Sequence, residues 1–349
     1  MRRAVLGPIA TLGIAGALTA CGSSTPSSAT SSGATAGQSL KGQTITVYSG
    51  QHEETTKALT SDFAKRTGIQ VRLKSDDEAS LAGQLLQEGS VSPADVFYAE
   101  NPPALTTVQE KNLLTTVDAS TLSQVPADAS SPEKDWVGVS ARTAAFAANK
   151  SVPAAELPQS VYDLTKPYWK GQLGLAPSET DFAPIVTKII ETKGTAAAKA
   201  WLEGLKANAK VFESNETLIA SVDKGEIKGG LIDHYYWYRL RDEVGANKLK
   251  TTLNYFATGD PGTLVDVSGA AVLKSSKHQA AGQAFLAYLV SEPAQKIIAT
   301  SHSYEYPLRP GVQPSAGQKA LASIAGFTSP LQLGNGKSAL ALLQSVGLL

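Results

Sequence analysis

Cysteine occurs once in the 349 residues, at Cys21. No intramolecular disulfide can therefore staple the fold, and its stability has to come from an apolar core. The same scarcity of thiolate disfavours structural zinc and Cu(I). A surplus of charge is missing too. With Arg2 and Arg3 set aside, 29 of the 31 basic side chains remain against 31 acidic ones, a net of about −2. That balance argues against nucleic acid or a membrane surface as a partner. Past residue 20, no apolar stretch reaches the ~20 residues that a spanning helix needs. There is no internal repeat, and neither His-x-x-x-His nor Gly-x-Ser-x-Gly occurs. An enzyme is accordingly not expected.

What is present begins with Arg2 and Arg3, followed by Val5 to Ala20, an apolar and small-residue run without charge. The run is too short to span a bilayer and reads as the core of a signal peptide, residues 1–20. It ends in Leu18-Thr19-Ala20-Cys21, which resembles the lipobox of bacterial lipoproteins. The resemblance implies cleavage before Cys21, acylation of its sulfur, and a lipid hold on the outer face of the cytoplasmic membrane. Residues 21–40 then form a Ser/Thr/Gly-rich stretch that buries too little apolar surface to offset its ordering entropy, and it is expected to be a flexible tether. The folded module starts near Lys41, and its length suggests two lobes of ~150 residues.

Thr44-Ile45-Thr46-Val47-Tyr48 is a β-branched strand pattern, ended by Ser49-Gly50. Glu53 to Thr67 reads as a helix, with Leu59 and Phe63 on one face and Gly68 as its stop. Ile69, Val71 and Leu73 alternate in a second strand. Strand, helix and strand within ~30 residues predict a βαβ unit and a parallel sheet. A helix over Leu81–Glu88 and a strand over Asp95–Tyr98 continue the pattern. Further along come a helix over Ala196–Asn208 capped by Thr195, a strand over Lys228–Ile232 and a helix over Ala280–Val290. The fold class is α/β, with mixed sheets.

Ligands of open α/β sheets bind at the carboxyl ends of strands. His52, Glu100, Tyr235 and Tyr236 all follow predicted strands. Imidazole, carboxylate and phenolate suit a hard or borderline, highly charged transition metal. A phenol with a pKa near 10 ionises at neutral pH only under strong compensation, which Fe(III) supplies. Adjacent tyrosines cannot both face a ligand from a regular strand, but can do so from a turn or a helix start. Read alone, these residues leave other uses open. His52 and Glu100 could be surface groups, and Tyr235-Tyr236-Trp237-Tyr238 could be packed core or a sugar-stacking platform.

Val47-Tyr48-Ser49-Gly50-Gln51-His52, Ala94-Asp95-Val96-Phe97-Tyr98-Ala99-Glu100, Tyr235-Tyr236-Trp237-Tyr238 and Asp260-Pro261-Gly262 are similar, in order, to signatures of the periplasmic ferric-iron-binding proteins. Tyr168-Trp169-Lys170-Gly171, Trp201 to Lys206 and Tyr306-Pro307-Leu308-Arg309 extend the likeness. These proteins are the substrate-binding subunits of iron(III) ABC importers. The resemblance implies a hinged, two-lobed Venus-flytrap fold of the type II periplasmic binding proteins. It implies Fe(III) as cargo, His52, Glu100, Tyr235 and Tyr236 as its ligands, and a membrane permease as partner. The expected division is 41–141 with 266–316 for the N-lobe and 142–265 with 317–349 for the C-lobe, in a monomer.

The chain departs from the family where many members hold an anion such as phosphate beside the metal. The aligned stretch here is Ser178-Glu179-Thr180-Asp181, and Asp233 stands two before the tyrosine pair, while Asn215 matches an anion-holding asparagine. Carboxylates repel a phosphate by several kcal/mol if poorly screened, so an exogenous anion is disfavoured. Two readings stay open. Either Ser178 caps a helix with Asp181 at its third position, or Glu179 or Asp181 replaces the anion. Among the other candidates, Arg142 lies near the lobe crossover and reads as a salt-bridge partner that holds charge near the site. His278 and His302 read as surface groups, and His234 either stands behind the neighbouring tyrosines or faces solvent. Ser49-Gly50 and Gly262 read as turn or hinge residues. The alternative function on the same fold is binding of a small organic solute: a sugar, a polyamine or a thiamine-like cation.

Overall fold

In the computed structural model, which describes residues 40–324, 328 and 330–349, the first βαβ unit forms as the pattern dictates. The signal peptide, Cys21 and the tether up to residue 39 lie outside the described residues. Strand β1 (Thr44–Ser49) leads to helix α1 (Glu53–Thr67) and strand β2 (Gln70–Ser75). Glu53 and Glu54 sit in the first turn of α1 and Lys65 and Arg66 in the last, so both ends complement the helix dipole. Gly68 ends the helix at φ +74°, a left-handed position that disfavours any side chain, and its N–H donates to the Ala64 carbonyl. Leu59 and Phe63 face the core with no exposure.

The chain continues through α2 (Glu78–Glu88), β3 (Val96–Ala99), α3 (Pro102–Gln109), a short α4 (Ala119–Leu122) and the long β4 (Val137–Asn149). β5 (Leu173–Leu175), α5 (Phe182–Lys193), α6 (Thr195–Asn208), β6 (Ala209–Val211), α7 (Asn215–Lys224), β7 (Gly229–Asp233) and α8 (His234–Val244) follow. β8 (Thr251–Asn254), β9 (Val265–Val272), α9 (Gln279–Leu289), α10 (Glu292–Thr300), β10 (Tyr306–Pro307), α11 (Pro330–Leu333) and α12 (Lys337–Ser345) complete the described order. The strands join in the order β2-β1-β3-β9-β4-β7-β5-β6, with β8 and β10 also paired to β4. β1 pairs in parallel with β2 and β3, while β4 runs antiparallel to β7, β8, β9 and β10. The expected mixed α/β architecture is what forms.

Two lobes emerge from how apolar side chains divide. One core gathers Ile45, Val47, Phe63, Phe97, Trp136, Val267 and Phe285. Another gathers Phe146, Trp169, Phe182, Trp201 and Leu343, beside a cluster of Leu218, Ile232, Tyr235 and Tyr238. Strand β4 passes from the first core at Ala141 to the second at Ala144, and Leu264 and Val265 make the same crossing at the start of β9. The stretch between carries Arg142 and Thr143, which pair in register with Asp266 and Val265.

Thr195 does not cap α6. It is the helix's first residue, and Gly194 at φ +83° stands in the cap position. The preceding helix ends at Lys193, so one residue makes the whole turn and a left-handed glycine is the only cap that fits.

Gly138 shows how tightly β4 is seated. A methyl group there would lie 2.0 Å from the Ala129 carbonyl oxygen and 3.1 Å from Leu308 Cδ1. Gly138→Ala is expected to lower stability by about 1–3 kcal/mol, the usual cost of overpacking. A urea unfolding curve checks it, and an unchanged midpoint would refute it.

Candidate metal-binding site

The two lobes meet around one buried cation. Arg142, 1% exposed, lies on β4 between the cores. Its Nη1 donates to the Glu100 carbonyl and, at 2.9 Å, to Asn101 Oδ1. Its Nε donates to Glu305 Oε1 at 3.1 Å. Asn101 is fixed in turn by Glu78, whose two oxygens accept from the Asn101 backbone N–H at 2.7 Å and its side-chain amide at 2.8 Å. The loop after β3 is thus clamped from both sides, which aims Glu100 at the space between the lobes.

His52 precedes α1 without capping it by its side chain. Its Nε2 stands 3.5 Å from Glu100 Oε1 and 3.4 Å from Glu305 Oε1, and the three donor atoms lie within 4.8 Å of one another. From the other lobe, Tyr235 and Tyr236 occupy the first turn of α8. A helix start lets neighbouring side chains converge as a strand could not, so the expected geometry for the pair is met. Tyr235 OH donates to Asp181 Oδ2 at 2.9 Å and approaches Glu100 Oε1 at 3.4 Å, while Tyr236 OH donates to Asp181 Oδ2 at 3.2 Å. The Arg239 guanidinium lies over the Tyr235 ring, 4.5 Å from its centroid.

The site thus collects His52, Glu100, Asp181, Tyr235, Tyr236 and Arg142. Asp233 is buried at the end of β7, opposite Ala144. Asn215, Asp181 and Asp233 line a cavity of about 10 Å³. Glu179 and Thr180 are half-buried and make no hydrogen bond to either tyrosine. A groove of about 810 Å³ lies elsewhere, along Trp237, Arg241, Tyr255 and Lys319, and shares no donor atom with this set.

Three readings that the sequence left open are excluded. Ser178 does not open a helix. α5 starts at Phe182, with Asp181 in the cap position at φ −68° and no capping hydrogen bond from its side chain, so the capping box is absent. His234 does not face solvent; it is fully buried. Its Nδ1 accepts from the Thr143 N–H at 3.3 Å, which leaves Nε2–H to donate to the Tyr304 carbonyl at 2.8 Å. Glu100 and His52 are not free surface groups, having only 14% and 17% of their side chains exposed. Glu305 was missed altogether. It is held by the turn at Tyr304, a non-glycine residue at φ +57°, and by pairing of Tyr306 with Ala141 across β10 and β4. No local pattern announces that contact.

Six carboxyls surround one guanidinium, and burial decides which of them ionise. Burial pushes Glu78, Glu100 and Asp266 up to about 7 each, all three despite Arg142. It raises Asp181, and Asp233 far more, with Asp181 adding to the latter's rise. Glu305 is the exception. Burial disfavours its charge, but Arg142 and His52 outweigh that and hold it at about 2. Both phenols are pushed well above their ordinary value, by burial first and by Asp181 second. Burial lowers His234 to about 4. The cluster lacks positive charge, and a highly charged cation at its centre would reverse each of the upward shifts.

A stability consequence follows for the metal-free protein. Glu78, Glu100 and Asp266 keep protons in the fold up to about pH 7 that an unfolded chain releases near pH 4. The native state then binds more protons than the unfolded one, and stability falls as pH rises through that window. His234, lowered to about 4, has the opposite slope, but only below its unfolded value of ~6.5. Between pH 6.5 and 8 the acids act unopposed. The melting temperature in chelator is expected to be lower at pH 8 than at pH 6.5, with a shallower slope in Asp266→Asn. A melting temperature that rises over this interval would contradict it.

Comparison with known proteins shows the family. The family model for bacterial extracellular solute-binding proteins matches residues 92–328. The "Fe(3+)-binding periplasmic protein" of Serratia marcescens is 38% identical over 312 residues, covering 88% of this chain and 91% of that one. The "Major ferric iron-binding protein" of Neisseria meningitidis serogroup B is 39% identical over 311 residues, covering 87% and 93%. Among solved structures, iron-bound HitA from Pseudomonas aeruginosa superimposes with a TM-score of 0.83 at 40% identity, covering 87% of this chain and 99% of that one. The two-lobed fold, the order of the signatures and these full-length likenesses agree: the chain is a bacterial extracellular solute-binding protein and belongs to the periplasmic ferric-iron-binding family.

Proposed function

We propose that this protein captures Fe(III) between its lobes and delivers it to an ABC import permease, with His52, Glu100, Tyr235 and Tyr236 as protein ligands. The observation that carries the reading is the convergence of His52 Nε2 and Tyr235 OH on Glu100 Oε1, at 3.5 and 3.4 Å, with the second buried phenol, Tyr236, sharing Asp181 Oδ2 with Tyr235. Phenols buried among acids are costly to ionise in an empty site. A trivalent cation removes that cost, whereas a weakly charged solute does not. The pair also lacks a free face for stacking, with Tyr235 1% and Tyr236 7% exposed, which disfavours the organic-solute reading.

His52 and Glu100 come from the lobe of the first core, Tyr235 and Tyr236 from the other. An ion held by both binds the closed form better than the open one, so capture drives closure. We place the hinge where β4 and β9 cross between cores, near Arg142 and Asp266. The lobe limits expected from sequence, 41–141 with 266–316 and 142–265 with 317–349, belong to the same proposal, with Val265 and Ile324 packing in the first core. Anchoring through Cys21 would keep the protein on the outer face of the cytoplasmic membrane, within reach of the permease. Among the described residues no helix is long and apolar enough to cross a membrane.

A visible absorption titration of the unit from Leu40 with ferric citrate tests the reading. A saturable one-to-one phenolate-to-iron band is expected, lost or strongly weakened in Tyr235→Phe and Tyr236→Phe. Affinity should fall by more than the roughly 10–100-fold typical of outer-sphere changes. Absence of the band in folded, metal-stripped protein would favour the organic solute. Binding must also expel protons, at least one from each phenol. More should be released at pH 6 than at pH 8, because Glu100 at about 7 still carries its proton at the lower pH. Equal release at both would remove Glu100 from the ligand set.

A further inference from the structure

We propose that the outer edge of β8 is a docking site for an extended, acidic segment of a partner protein, which adds to the sheet as one more strand. Nothing in it depends on the metal.

β8 (Thr251–Asn254) pairs with β4 alone among the described strands, in antiparallel register, with Thr252 opposite Ala148 and Asn254 opposite Phe146. In such a pair the backbone groups of successive residues point to opposite sides. The Lys150 N–H donates to the Lys250 carbonyl at 2.7 Å, which sets the phase. Lys250, Thr252 and Asn254 turn their groups toward β4, and Thr251, Leu253 and Tyr255 turn theirs outward. Among the described residues, the outward N–H and C=O groups make no hydrogen bond. The next position in the sheet is taken at one end, where the Ala257 N–H donates to the Gln159 carbonyl at 2.7 Å. Over Thr251–Tyr255, a length of about 17 Å for an extended chain, the groove of about 810 Å³ runs beside the strand instead.

The edge chooses what it can pair with. Lys150, Arg241 and Lys319 line the groove, and no Asp or Glu does. Arg241 faces Asp242 at 3.0 Å. Lys150 Nζ donates to the Leu249 carbonyl at 2.6 Å and Lys319 Nζ lies 5.2 Å from the centre of the Tyr255 ring, neither in an ion pair among the described residues. Lysines beside an open edge oppose apolar and basic strands, including those of a second copy. An acidic strand meets them with complementary charge.

The groove wall fits the rest of such a segment. Trp237, Tyr238 and Phe256 offer aromatic surface to its apolar side chains. The Trp237 indole N–H and the Thr251 hydroxyl have no hydrogen-bond partner, and Thr251 is 1% exposed. Buried polar groups left in this way fit an incoming acceptor. A row of N–H and C=O groups at the strand repeat matches another polypeptide better than any small solute. Main-chain bonds supply the affinity and the cations the selection.

The test titrates a fluorescent, end-capped eight-residue peptide, valine alternating with glutamate, with the full-length protein in detergent at low salt. Anisotropy should show saturable one-to-one binding, at least ~10-fold tighter than for the same peptide with lysine in place of glutamate. Amide hydrogen exchange over Thr251–Tyr255 should slow on binding. Leu253→Pro deletes an outward N–H without touching the ladder to β4, and Lys319→Glu reverses one charge; each should weaken the acidic peptide at least ~10-fold. No saturation by about 1 mM peptide, equal binding of the lysine peptide, or binding that leaves exchange over Thr251–Tyr255 unchanged overturns the proposal. Free glutamate that displaces the peptide at equal concentration reassigns the groove to a small carboxylate and overturns it as well. So does a protein that sediments as a dimer without peptide and as a monomer in Leu253→Pro, which gives the edge to a second copy. Should Leu253→Pro not fold, Lys319→Glu and the exchange measurement on wild type decide the matter.

Discussion

One guanidinium organises the interface of the two lobes. Arg142 is a permanent charge sunk in a strand that both cores share, and it reaches the loop after β3 and the turn before β10 at once. A buried charge of this kind is tolerated only when its hydrogen bonds are met. Its Nη1 and Nε meet theirs on Glu100, Asn101 and Glu305, while Nη2 has no hydrogen bond and only faces Glu100 Oε1 at 3.5 Å, so Arg142 fixes the residues that aim Glu100 and steady His52. Lysine could not substitute, having one donor point where three partners lie in different directions.

Around this centre the protein assembles an excess of carboxyl groups. Without a metal it tolerates them by leaving several protonated, and by giving the two phenols a shared acceptor in Asp181. The same arrangement that is uncomfortable when empty becomes complementary to a small, highly charged ion. Affinity and the instability of the empty cluster are thus two expressions of one charge imbalance, set by burial and not by net charge, which over the whole chain is close to zero.

Much of this was legible beforehand, and the reasons are specific. The helix Glu53–Thr67 has its acids, apolar face and bases within fifteen residues and its glycine stop immediately after them, so its limits can be read directly. His52, Glu100, Tyr235 and Tyr236 each follow a strand, which is where such sheets place ligands. Features that depend on distant partners were not legible. Glu305 enters the site through a left-handed Tyr304 and a two-residue strand paired with β4. His234 is buried because Thr143 and Tyr304, 91 and 70 residues away in sequence, bracket its ring. At Ser178 to Asp181 a local signal existed and misled. The acid pattern suits a helix cap, but two phenols on another helix draw Asp181 away from that duty.

The passage of β4 from one core to the other has a mechanical side. On the proposed Fe(III) reading the donors belong to bodies that only a few backbone crossings join, so a single ion would act as a strut locking them together. The outline of the whole molecule then reports whether the strut is in place. If the proposed permease grips both lobes, it could distinguish loaded from empty protein without touching the metal, and by prying the lobes apart it would remove the proposed His52 and Glu100 half of the grip in a single movement.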